Sequence, residues 1–119
     1  MTGFPRTNVG GVSVSKMIIG CNWITGYSHR GPASDHMIAE ANKNIEHATG
    51  IFTAFLKHDI DTVLGLFGED KGLEKAVKLA EDRTGKKMII MDFWLIHWKI
   101  KEENLEFHST NPLYLLILY

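Results

Sequence analysis

Three short strand-like runs, Met17 to Gly20, Asp61 to Gly65 and Met88 to Met91, are separated by stretches long enough for helices. Each run is too short for a buried helix and is bounded by glycine or charged residues, so each reads as a strand. The stretches between them carry helical period. Ile38, Ala41, Ile45, Ala48, Phe52 and Phe55 recur at steps of three and four, and Leu73, Ala76, Val77 and Ala80 form a second apolar stripe. Strand, helix, strand, helix, strand in that order calls for right-handed crossovers and a parallel sheet. The fold class is therefore α/β, and the runs Met17-Ile18-Ile19-Gly20 and Met88-Ile89-Ile90-Met91 suit strands covered on both faces.

Ahead of this pattern, Val9 and Val12 flank Gly10-Gly11, a dipeptide suited to a two-residue hairpin turn, and Val12 and Val14 alternate with Ser13 and Ser15. Thr25 to Ser34, which holds Gly26, Gly31 and Pro32, reads as a loop. The stripe from Ile38 to Phe55 predicts one helix of about six turns, with Ser34 or Asp35 as its N-cap and Gly50 as its weak point. The second helix spans Gly72 to Thr84, and Gly85 stands where a C-terminal cap belongs.

Composition narrows the function classes. A chain of 119 residues with 13 Lys+Arg against 14 Asp+Glu has no basic surplus, which makes nucleic acid a poor partner. The single cysteine, Cys21, cannot form an internal disulfide and fits a reducing, cytoplasmic setting. No charged-then-apolar leader opens the chain, and its most apolar runs fall short of the roughly 20 residues of a membrane helix. The expected ligand is a small molecule.

In parallel α/β sheets chemistry gathers at the carboxyl ends of the strands. Three places qualify: Cys21-Asn22-Trp23, Leu64-Gly65-Leu66, and Asp92. Asn22 can orient a substrate, Trp23 can wall a pocket, Asp92 can serve as base or metal ligand, and His29 in the first loop can reach the same mouth. The plainer alternative for each is a loop polar group that caps a helix or binds water. Of the six histidines, His36, His47 and His58 recur every eleven residues. On one helix that spacing places them about 16 Å apart, too far to share an ion. Gly65-Leu66-Phe67-Gly68 lacks the spacing of a phosphate cradle.

The hairpin, the Gly20-Cys21-Asn22-Trp23 strand end and the two βα units that follow resemble the N-terminal part of the aldo/keto reductase family over about residues 6 to 92. The resemblance implies part of a (β/α)8 barrel whose bottom is plugged by the hairpin, and a parent enzyme that reduces carbonyls with NADPH. The family's catalytic groups are an Asp and a Tyr after the second strand, a Lys ending the third and a His ending the fourth. Laying Asp61-Thr62-Val63 on the family's Asp-Thr-Ala puts Leu66 or Phe67 at the tyrosine. Laying Asp59-Ile60-Asp61 on its Gly-Ile-Asn lead-in puts Leu64 at the aspartate, and in both overlays Asp92 stands where the lysine belongs. The architecture is expected to carry over without the reaction, so this chain alone is expected to be inactive, with a non-redox barrel enzyme using Asp92 as the alternative.

Beyond Asp92 the pattern changes. Residues 1–92 read as barrel-type βα units, and 93–119 as an atypical apolar tail with neither helical period nor turn grammar. A closed barrel takes about 250 residues, so the expectation is a truncated or frame-shifted product. The rival is a short α/β interaction module that self-associates through Trp94, Trp98, Leu113, Leu115 and Leu116.

Overall fold

The computed structural model describes residues 3–65, 67, 70–92 and 117–118. It opens with strands β1 (Arg6–Val9) and β2 (Val12–Ser15), paired antiparallel with Val9 opposite Val12. The turn between them has φ of 56° at Gly10 and 83° at Gly11. Both angles lie in the left-handed region that glycine alone enters without a Cβ penalty.

Next come β3 (Ile18–Gly20), the single-turn α1 (Asn22–Thr25), α2 (Pro32–Asn42), α3 (Ile45–Lys57), β4 (Thr62–Gly65), α4 (Lys71–Thr84), β5 (Ile89–Asp92) and β6 (Ile117–Leu118). The second sheet has the order β3-β4-β5-β6, with β3, β4 and β5 parallel and β6 antiparallel to β5. The fold is thus mixed α/β, with a small antiparallel ribbon beside a mainly parallel sheet that closes no barrel.

Register explains where the core lies. Ile19, Val63 and Ile90 form one row across the three parallel strands and pack with Phe52 and Leu56 of α3 and Leu73, Ala76, Val77 and Ala80 of α4. Burying a Phe or Leu side chain of this kind is worth about 1.5–3 kcal/mol. The next row on the opposite face, Gly20, Leu64 and Met91, lies toward the carboxyl ends of the strands.

The hairpin is seated at the amino ends. The buried Ser15 N–H donates to Thr62 Oγ1 at 3.0 Å, and Arg6 Nη1 meets Asp61 Oδ2 at 2.9 Å. Asp61 therefore stands just before β4, at the amino end of the strand.

Several expectations change. The six-turn helix is two helices, and the chain breaks at Lys43–Asn44 rather than at Gly50. Asn44 is extended (φ −78°, ψ 112°) and its side chain accepts the Glu46 N–H, so it starts α3 as an N-cap. Gly31, not Ser34 or Asp35, precedes α2, with Pro32 in the first turn, and the supposed loop from Thr25 to Ser34 shrinks between α1 and α2. Among the described residues β3 is an edge strand, and Met17 and Ile18 are 47% and 45% exposed instead of covered on both faces. By contrast, Gly85 caps α4 in the left-handed conformation, as expected, and Asp70 supplies its N-cap. Among the described residues no helix is long and apolar enough to cross a membrane. Trp94, Trp98, Leu113, Leu115 and Leu116 lie outside the described residues.

Candidate functional site

Parallel pairing brings the carboxyl ends of β3, β4 and β5 to one edge of the sheet. Gly20 is in register with Leu64 and Leu64 with Met91, while Gly65 is in register with Asp92. Strands lie about 4.8 Å apart, so the backbones of Gly20 and Met91, at the ends of β3 and β5, stand about 10 Å apart across the sheet.

The turn after β3 is built on one carbonyl. Cys21 O accepts from Ile24 N, Thr25 N and Thr25 Oγ1, which coils Asn22 to Thr25 into α1. The Asn22 carbonyl then accepts Gly26 N and Tyr27 N, at 3.1 and 2.8 Å. Trp23 and Tyr27 are left 55% and 59% exposed.

Cys21 itself is only 5% exposed, and its thiol is pushed up to about 12, first by burial and then by the negative charge of Asp70. A thiol held in that state is no nucleophile at neutral pH. Its role is packing. A Cβ on Gly65 would stand 2.8 Å from Cys21 Sγ and 3.1 Å from the Phe67 ring, so the end of β4 has room for glycine alone.

Two residues singled out in the sequence meet. Asn22 Nδ2 lies 3.0 Å from His29 Nε2 across the short loop. His29 holds φ 57°, a left-handed conformation that costs a residue with a Cβ about 1–2 kcal/mol. The neighbouring contacts show what holds it there. Asp35 Oδ1, in the first turn of α2, accepts the Ser28 N–H at 2.7 Å and the Ser28 hydroxyl at 2.6 Å, and Ser28 Oγ accepts the Arg30 N–H at 3.1 Å. These bonds hold the Asp35 carboxyl below the usual aspartate range, the Ser28 hydroxyl contributing most.

Ser28 and Tyr27 were not singled out from the sequence, and Asp35 was named there only as a helix N-cap. The available signal was an Asp in the first turn of a helix that follows a Gly-bounded polar loop, a pattern for side-chain capture of loop N–H groups.

The remaining features are simpler. His36, His47 and His58 are exposed; His36 belongs to α2, so the single-helix spacing applies only from His47 to His58, at the two ends of α3. Among the described residues no group of three His, Cys, Asp or Glu side chains is placed to hold a metal. A cleft of about 480 Å³ lies at the opposite, amino end of the strands, lined by Phe4, Arg6, Asp59, Asp61, Lys86 and Lys87. Arg6 pairs there with Asp61 and Lys86 with Asp59, while Lys87 pairs with Glu81 outside the cleft; the Arg6–Asp61 pair ties the hairpin to this end.

No family model, no curated protein and no solved structure matches the chain. The functional reading rests on the geometry.

Proposed function

We propose that this chain is the hairpin-and-first-units portion of an aldo/keto reductase-like barrel protein, and that its strand-end mouth receives a small polar molecule. The observation that carries the reading is the seat of the hairpin. It engages Asp61 and Thr62 at the amino ends of the parallel strands, the face opposite to the one where such sheets place chemistry. That arrangement leaves Asn22, Trp23, His29 and the Asp92 backbone at the free end.

NADPH-dependent reduction does not fit the residues present. With Asp61 at the amino end, the overlay that remains places half-buried Leu64 at the position of the family's aspartate. A hydrocarbon there cannot share in protonating a carbonyl oxygen. Proton transfer by His29, oriented by Asn22 and joined by Asp92, is the chemistry these groups can supply. The test is a thermal melt of the full chain with NADPH and, separately, with a small hydroxyketone such as dihydroxyacetone. A rise in Tm with the hydroxyketone that Asn22→Ala removes is the expected outcome. A rise with NADPH instead would restore the redox reading, and no rise with either would remove the mouth as a ligand site.

A second reading is favoured by β6. An antiparallel strand lies on β5 where the next parallel strand of a barrel would lie, as in a short α/β module that completes its own sheet. Such a module has a defined oligomeric mass by light scattering; a concentration-dependent smear of sizes would count against it.

A further inference from the structure

We propose that the N-terminal hairpin is a flap latched to the sheet by the Asp61-Thr62 dipeptide, and that it opens and closes over the amino-end cleft as one unit while the sheet stays folded.

The latch follows from the hairpin's register. Counting from its two-residue turn, Val9 opposite Val12 and Thr7 opposite Val14 are the hydrogen-bonded pairs, so Ser13 and Ser15 turn their backbone groups outward. Both are met. The Ser15 N–H donates to Thr62 Oγ1 at 3.0 Å, and the Thr62 hydroxyl donates in turn to Asp61 Oδ1 at 3.2 Å, since a carboxylate only accepts. The other carboxylate oxygen takes Arg6 Nη1 at 2.9 Å, and the same guanidinium donates from Nη2 to Ser13 O and from Nε to Ser13 Oγ, each at 2.8 Å. Arg6, Ser13 and Ser15 of the hairpin are thus tied through one hydrogen-bond network to two adjacent residues where β4 begins.

Little else holds the hairpin. Among the described residues, the Arg6 and Ser15 bonds are the only hydrogen bonds from residues 3–16 to the chain beyond Met17. Of its strand residues only Val14 and Ser15 are buried, and the link to β3, Lys16-Met17, is exposed. A segment with so few buried apolar contacts opens at far lower free energy than the core around Phe52 and Val63, and a lone two-stranded hairpin is marginal in water. The latch is what keeps it ordered. Ser15 Oγ also donates to Met17 O at 2.7 Å, which sets the bend about which the flap turns. Phe4 and Arg6 line the cleft from the flap side, and Leu56, Asp59, Lys86 and Lys87 from the body, so opening the flap removes one wall. The inference concerns the amino end alone and holds whatever the strand-end mouth receives.

The experiment is amide hydrogen exchange of the full chain in urea below the unfolding transition. The amides of Val14, Ser15 and Lys16 should share one opening that responds weakly to urea, because little surface is uncovered, while those of Val63 and Leu64 respond steeply. Arg6→Met and Thr62→Val should each speed the three hairpin amides together, by about tenfold. Val77→Ala, which loosens α4 within the core, should speed Val63 and Leu64 and leave the hairpin amides as they were. Hairpin amides as steep in urea as Val63 would overturn the proposal, because the hairpin would then open only with the sheet. Hairpin amides without protection would do the same, and so would a response to the two latch variants that is absent or confined to Ser15. If Thr62→Val fails to fold, Arg6→Met, on the exposed strand, decides.

Discussion

Thr49 lies on α3 with no exposed surface, and its Oγ1 is the one buried side-chain polar atom without a hydrogen-bond partner among the described residues. A buried donor left unpaired costs about 1–3 kcal/mol, and valine has the same branched shape. Thr49→Val should therefore stabilise the chain by about 1 kcal/mol in urea unfolding; a variant less stable than the parent would mean that the hydroxyl has a partner in solution. Neither this orphan nor the Asn22–His29 contact was legible in the sequence, for related reasons. Thr49 falls one residue beside the apolar stripe and reads as a helix flank. The meeting of Asn22 and His29 depends on a left-handed φ at a residue other than glycine, and composition gives no sign of that. What could be read was the place of the strand ends, because they follow from periodicity. The Asp35–Ser28 bonds could not, because they need Asp35 to face backward onto the loop.

At the scale of elements the sequence was most informative where apolar period and termini agreed. The Gly10-Gly11 hairpin and α4 both combine a clear pattern with a stop that admits few residues, and both are found where the pattern places them. The continuous stripe from Ile38 to Phe55 misled because two helices meeting at a sharp corner can keep one apolar face. The decisive residue was Asn44, a strong N-cap hidden inside that stripe, whereas Gly50 is an ordinary interior position of α3 with open space around its missing Cβ. Opposite outcomes follow for the two sites. Asn44→Ala should cost about 1 kcal/mol by removing the bond to Glu46 N–H, and Gly50→Ala should add up to about 1 kcal/mol by restricting the unfolded chain. Both are read from chemical denaturation midpoints at unchanged m-value. A destabilising Gly50→Ala would show that the helix bends there after all.

For the whole molecule, the β5 edge decides between two kinds of protein. A parallel sheet that stops at β5 presents unpaired N–H and C=O groups to any strand that arrives, including one from another copy. In this chain Ile117 and Leu118 pair with Met91 and Ile90, running antiparallel. A (β/α)8 barrel needs a parallel strand on that edge, so barrel growth and this pairing exclude each other. The opposite edge differs, since β3 has β4 as its sole partner strand among the described residues and keeps Ile18 exposed. Removing residues 117–119 therefore acts on one edge only. Each backbone hydrogen bond is worth a net 0.5–1.5 kcal/mol or so, and opening protection falls about tenfold for every 1.4 kcal/mol lost. Amides of Ile89 to Asp92 that are protected by the pairing should exchange roughly tenfold faster in the shortened chain, those of Ile18 to Gly20 should not change, and the mass by light scattering should rise with concentration as bare β5 edges meet. If exchange along β5 and the mass both stay as they were, the terminal strand does not guard the edge. The sheet would then remain open to the parallel partner that a barrel supplies.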